Sequence, residues 1–259
     1  MLFEAYLCLF FLGAIFGSFA NVCIYRLPLD QSIVINRSHC PFCKKKIKWY
    51  FNIPIFSYIY LQGKCSCCKE KIPLQYLVVE SISALSFVFI FYLFGFSIDT
   101  FLFIFIFSIY VIIFYIDLKY FIIPNSLNFI LIFSGFFKNF IPQLNRSFSP
   151  DIISSILGGI IGYLAIWIII QLYKKIKNIE GMGLGDAKLF CGIGLWFGYQ
   201  SIFIIIFLAS IIALMTIAPK LIKGKVKMKS EIPFGPFIII GNLVYLIFMD
   251  EIFNFLSIL

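Results

Sequence analysis

Two aspartates stand where the surrounding sequence has little other polar chemistry to offer. Asp186 closes the run Gly181-Met182-Gly183-Leu184-Gly185-Asp186 and opens an apolar stretch, and Asp117 ends another. A carboxylate at the end of a membrane helix is costly to keep and marks a functional site. Two carboxylates brought together share a proton, so one serves as base and the other as acid. Such a pair activates water against a peptide carbonyl and protonates the developing oxyanion, with no side-chain nucleophile. The single histidine, His39, lies outside both stretches, which removes a Ser-His or Cys-His mechanism there. Each acid also has a plainer reading. Asp186 can cap the helix that follows, at the positive end of its dipole, and Asp117 can pair with Lys119 in an interfacial turn. Of the twelve acids, Glu80, Asp117 and Asp186 alone border long apolar runs on the lysine-rich side.

A second constellation is metal-like. Cys40-Pro41-Phe42-Cys43 is followed, after twenty-one intervening residues, by Cys65-Ser66-Cys67-Cys68. Two C-x-x-C knuckles at this separation turn four thiolates toward one point and match a closed tetrahedral zinc site, structural because no position stays open. Cys67 competes with Cys68 as the fourth ligand, and His39 beside Cys40 is a solvated neighbour. Disulfides are the rival account, but a cytoplasmic segment keeps its thiols reduced. Cys8, Cys23 and Cys191 read as small buried apolar residues.

The elements that must position these groups are membrane helices. The chain has 259 residues, 62% hydrophobic and 13% charged, a composition far from that of soluble domains. Apolar runs near 2–24, 76–96, 100–117, 122–141, 152–173, 184–199, 200–219 and 233–258 predict about eight transmembrane helices in an all-α integral membrane protein. The first starts with Glu4 and lacks a small-residue cleavage site, so it reads as a retained span. With an outside N-terminus, nineteen of the twenty-one Lys and Arg residues fall on one side, leaving Lys138 and Arg146 opposite. The positive-inside rule makes the majority side cytoplasmic. The net charge of +9 therefore reports topology and implies no nucleic-acid partner. Three segments follow: 1–24 as the first span, 25–75 as a small cytoplasmic zinc-binding insert between helices 1 and 2, and 76–259 as a polytopic domain carrying both aspartates. So small an insert needs a metal staple in place of a core.

Gly13 and Gly17, Gly158 and Gly162, and Gly194 and Gly198 have the spacing that lets membrane helices approach closely. Pro233-Phe234-Gly235-Pro236 either lines a groove or starts the last span. The lysines of 220–229 anchor the cytoplasmic side and attract anionic membrane lipids.

In order along the chain, several segments form a set: Gly17-Ser18-Phe19-Ala20-Asn21-Val22 with Tyr25-Arg26-Leu27-Pro28; Cys40-Pro41-Phe42-Cys43; Asn52-Ile53-Pro54 with Ser57-Tyr58; Gly63-Lys64-Cys65; Tyr76 with Val79-Glu80; Asp117 with Ile123-Pro124; Gly181 to Lys188; and Pro233 to Phe237. The set resembles the bacterial type IV prepilin peptidases, inner-membrane aspartic proteases of the G-x-G-D kind. The resemblance implies a catalytic dyad of Asp117 and Asp186. It also implies a prepilin or pseudopilin precursor as substrate, cut after a glycine at the cytoplasmic face, and a second activity methylating the new N-terminus from S-adenosylmethionine. Gly63 and Glu80 are candidate contributors to methyl transfer. One departure stands out: Asn125 occupies a place where the family usually has an aspartate. The rival classes are a proton- or cation-coupled transporter using Asp117 and Asp186, and an inactive assembly protein of the same fold.

Overall fold

A computed structural model of the chain describes residues 2–34, 40, 42–141, 150–178, 182–224, 231–249 and 251. His39, Pro41, Arg146, Gly181, Lys225, Lys227 and Lys229, all part of the reading above, lie outside the described residues. Among the described residues each apolar run holds a helix: α1 (Leu2–Arg26), α3 (Leu74–Phe94), α4 (Ile98–Tyr120), α5 (Asn125–Phe137), α6 (Ile152–Lys177), α7 (Leu184–Phe197), α8 (Tyr199–Ile222) and α9 (Gly235–Ile247); residues 250 and 252–258 of the last run lie outside the described residues. A short helix, α2 (Phe56–Tyr60), lies in the insert, and no strand forms among the described residues. The protein is thus an all-α multi-pass membrane protein. Among the described residues five helices (α1, α3, α4, α6 and α8) are long and apolar enough to cross a bilayer.

The other three have 13 or 14 residues. Each is cut short by local chemistry. Pro124 stands at the N-cap of α5 and keeps apolar Ile122 and Ile123 out of the helix, because the residues before a proline avoid the α region. Gly183 is the N-cap of α7, and Gly198 ends it at φ 80. Pro236 occupies the first turn of α9, where a missing N–H costs nothing.

The chain divides into two compact units, Met1–Ile112 and Ile113–Leu259. In the first, α1 and α3 run antiparallel. A Cβ on Gly13 would stand 2.6 Å from the Ser83 carbonyl oxygen, and one on Gly17 would stand 2.7 Å from the Glu80 Cα. The helices therefore meet backbone to backbone, as small residues permit in lipid. Asn21 Nδ2 donates to the Tyr76 carbonyl at 3.2 Å, and Tyr6–Phe91 and Phe16–Phe87 ring contacts fill the seam.

In the second unit α6 and α7 cross at glycines. A side chain on Gly158 would collide with the Gly194 carbonyl, and one on Gly194 with the Gly158 carbonyl, while Gly162 lies against the Phe190 carbonyl. Gly198 does two things: at φ 80 it makes the turn into α8, and its carbonyl carbon would stand 2.6 Å from a Cβ on Gly158, so it belongs to this crossing as well. At the same end Ser155 Oγ donates to the Leu195 carbonyl at 2.9 Å and Trp196 Nε1 to the Leu131 carbonyl at 3.1 Å, tying α5, α6 and α7 together.

Pairing 158 with 194 and 162 with 190 puts Asp186 level with Ile166 of α6. Lys174 lies eight residues further along that helix, or about 12 Å at the helical rise. Asp186 is thus recessed along α6 from the lysines that end it. Replacing Gly194 with leucine should cost about 1–3 kcal/mol through overpacking at this crossing. Thermal unfolding of the detergent-solubilised protein should show the lowered midpoint.

Candidate functional site

Asp117 lies in the last turn of α4 and Asp186 in the first turn of α7, 4% and 8% exposed. Asp117 Oδ2 accepts the backbone N–H of Gly235 at 2.9 Å, the first residue of α9. The N-terminal N–H groups of a helix have no partner within it, and the dipole favours negative charge at this end, so the last helix holds this carboxylate. A Cβ on Gly235 would stand 2.7 Å from Asp117 Oδ2, so a bare backbone is what allows the contact.

Asp186 lies within the field of Asp117. Its Oδ2 would stand 3.9 Å from a Cβ on Gly183, the N-cap of α7, so the carboxylate stays beside the positive end of its own helix. Ile123 joins the two sides: its Cβ would lie 3.1 Å from a Cβ on Gly185, and its Cδ1 3.2 Å from one on Gly235. The glycine next to Asp186 and the glycine bound to Asp117 thus pack on one isoleucine. Asn128 Nδ2 adds a bond to the Gly185 carbonyl at 3.2 Å.

At the exposed edge Lys188 Nζ donates to Asn125 Oδ1 at 2.6 Å. The asparagine that departs from the family pattern therefore accepts a hydrogen bond, though it brings no charge. Lys119 lies over the Tyr120 ring at 5.2 Å, while Asp117 turns to Gly235. Sequence reasoning missed the parts played by Gly235 and Ile123. The Pro233-Phe234-Gly235-Pro236 segment was the available signal, since glycine followed by proline at a helix start leaves one exposed N–H.

The second cluster lies in the insert. The Sγ atoms of Cys40, Cys43, Cys65 and Cys68 fall within 4.8 Å of one another, and those of Cys40 and Cys68 are 3.8 Å apart. Thiolates about 2.3 Å from a tetrahedral ion are about 3.8 Å apart, so the donor set fits such a metal; a disulfide needs about 2 Å. Both knuckles have one backbone pattern. Cys40 N–H donates to Lys45 O and Lys44 N–H to Cys40 O; Cys65 N–H donates to Glu70 O and Lys69 N–H to Cys65 O. Lys44 and Lys69 both take positive φ, 56 and 60. This repeat assigns Cys68, at the end of the second knuckle, to the cluster and leaves Cys67 exposed outside it.

Gly63 and Glu80 have structural partners. Gly63 has φ 67, donates to Tyr58 O at 2.9 Å and accepts from Ile72 N–H at 2.7 Å; a Cβ there would meet the Tyr58 hydroxyl at 2.9 Å. Glu80 Oε2 accepts the Ile55 N–H at 2.7 Å.

Residues 11–94 match the Bacterial Peptidase A24 N-terminal domain, and residues 102–218 match the Type IV leader peptidase family. The chain is similar to proteins named prepilin leader peptidase/N-methyltransferase. The one from Vibrio cholerae is 35% identical, over 92% of this chain and 95% of its own length. That from Stutzerimonas stutzeri is 30% identical, over 95% and 91%, and that from Neisseria gonorrhoeae 30%, over 94% and 90%. No solved structure matches.

The knuckle geometry separates the cysteines experimentally. Cys43→Ser should abolish the thiolate-to-metal absorption of a cobalt(II)-loaded protein, whereas Cys67→Ser should leave both the spectrum and one bound ion per chain unchanged.

Proposed function

The chain belongs to the type IV leader peptidase family, and from that premise we propose that it is a membrane aspartic peptidase with Asp117 and Asp186 as its dyad. Its substrates are type IV prepilin or pseudopilin precursors, whose leader it removes at the cytoplasmic face of the bacterial inner membrane. The observation that carries this reading is the gathering of two recessed carboxylates around Ile123, one held by the Gly235 N–H and the other within its field.

The pair retains one proton between its members. The unprotonated carboxylate takes a proton from water, whose oxygen forms a bond to the scissile carbonyl carbon. The protonated partner donates to the carbonyl oxygen as it becomes an oxyanion. On collapse, the carbon–nitrogen bond breaks and a carboxyl proton passes to the leaving amine, which is the new N-terminus. Gly235 fixes the orientation of Asp117 throughout. Lys188 keeps its contact at Asn125 through a neutral acceptor, so cleavage does not depend on an acid there.

The insert is cytoplasmic by the positive-inside rule, and zinc is the metal its four thiolates suit best. With all four positions taken by cysteine, zinc held there would stiffen the insert and leave hydrolysis to the two acids. The double name of the relatives supports a second activity, methylation of the new N-terminus. S-adenosylmethionine would supply the methyl group. Gly63 and Glu80 serve this activity by shaping the insert around Tyr58 and Ile55, their observed partners. Lipid surrounds the helices, and the lysines at the cytoplasmic side favour its anionic headgroups.

Asp117→Asn and Asp186→Asn should each lower the cleavage rate of a purified prepilin about a thousandfold, as expected for loss of a general acid or base. Normal processing by either variant would overturn the dyad. Gly235→Ala should lower kcat about a hundredfold with little change in KM, because the added methyl displaces Asp117 without touching a substrate-binding group. Steady-state kinetics on one prepilin would separate the two constants.

A further inference from the structure

The cysteine-rich insert is not wholly outside the membrane. In α1, twenty-one uncharged residues separate Glu4 from Arg26, about 31 Å at the helical rise, which matches the roughly 30 Å hydrocarbon thickness. Arg26 therefore marks the level at which the chain leaves the hydrocarbon. From there the insert turns back. The Phe56 ring stacks on that of Phe11, with centroids 6.1 Å apart, and Phe11 lies fifteen residues before Arg26, about 22 Å down the helix. Ile55 donates its N–H to Glu80, whose Cα lies against Gly17, nine residues or about 13 Å below Arg26. Two independent contacts thus bring residues 55 and 56 to the middle depth of the span.

The backbone is fit for that depth, since irregular chain in hydrocarbon must satisfy its own polar groups. Phe56 donates to Pro54, Ser57 to Ile53, Ile59 to Ile55, Leu61 to Ser57, Gln62 to Ile59, Gly63 to Tyr58 and Lys64 to Leu61. The N–H of Ile55, which would open this ladder unpaired, is the one that Glu80 takes. Ile55 itself holds φ 64, a rare backbone for a β-branched residue, so the turn is imposed rather than relaxed. The outward side chains are apolar or aromatic: Phe56 52%, Ile59 62% and Tyr60 78% exposed.

We infer that residues 53–61 form a re-entrant wedge beside α1 and α3, inserted among lipid acyl chains and hooked there by Glu80. The four-cysteine unit is thereby moored to the bilayer instead of swinging from the ends of two helices. This makes Glu80 a positioning residue, and it does not depend on the peptidase reading.

The test uses the full chain, metal-loaded, in liposomes of phosphatidylethanolamine and phosphatidylglycerol with no other protein. The photoreactive residue p-benzoyl-phenylalanine replaces Ile59, with Phe16 of α1 as the lipid-facing control and Lys46 as the aqueous one. Irradiation should yield an acyl-chain adduct at 59 and at 16 and none at 46. Adducts at 16 alone would place the wedge in water, and equal adducts at 46 and 59 would reduce it to surface adsorption; either overturns the inference. Glu80→Ala should abolish the adduct at 59 while that at 16 persists, and Glu80→Gln, which still offers an acceptor oxygen, should restore it. An adduct at 59 unchanged in Glu80→Ala would overturn the hook.

Discussion

Where α6 and α7 cross, glycine meets glycine, and the two backbones approach more closely than any side chain permits. Lipid gives helices no hydrophobic reason to associate, so close backbone packing has to supply the attraction. That crossing fixes the register of α7, and the register fixes the depth of Asp186. The polar ties from Ser155 and Trp196 lock the opposite end of the same helix. With its far end pinned and its length limited to 14 residues, α7 stops short of the lysine-bearing end of α6. A shallower acid would be fully hydrated, and two hydrated acids have little reason to share a proton. Depth is therefore part of the chemistry.

The same economy of short helices explains what holds Asp117. Helix α9 begins with Gly235 and Pro236, so its first N–H is directed at a carboxylate without a side chain in the way. A longer α9, starting nearer the membrane face, would bury that N–H in its own hydrogen-bond ladder and leave Asp117 without a donor. Truncated helices thus give the acids both their depth and their partners.

The parts of this site most legible in the sequence are those that are expensive. Carboxylates bordering apolar runs are rare because they cost energy, and so Asp117, Asp186 and Glu80 could be singled out from twelve acids. Thiols spaced for a tetrahedron are nearly as informative, although choosing Cys68 over Cys67 required the repeated knuckle backbone. The eight apolar runs each became a helix, but their ends did not follow hydropathy: Ile122 and Ile123 are as apolar as any residue of α5 and still lie outside it, because Pro124 rules. The role of Gly235 was hidden for a different reason. Its contribution is a backbone N–H, a group that every residue except proline carries, and only the fold decides which one faces an acid.

The three acids that border apolar runs on the lysine-rich side end up in contrasting work. Asp117 receives a backbone N–H from the start of α9, and Asp186, in the first turn of α7, lies in the field of Asp117. Glu80 is committed to one N–H of a turn that would otherwise be unpaired. A carboxylate with a single fixed backbone partner and no second acid beside it is a clasp; the same group with a neighbour of like charge is a proton reservoir. The distinction follows from surroundings alone, since the three side chains are nearly the same chemically. It also divides between the two units: in unit one the acid accepts an N–H of the cysteine-rich insert, and in unit two the pair forms the proposed catalytic dyad.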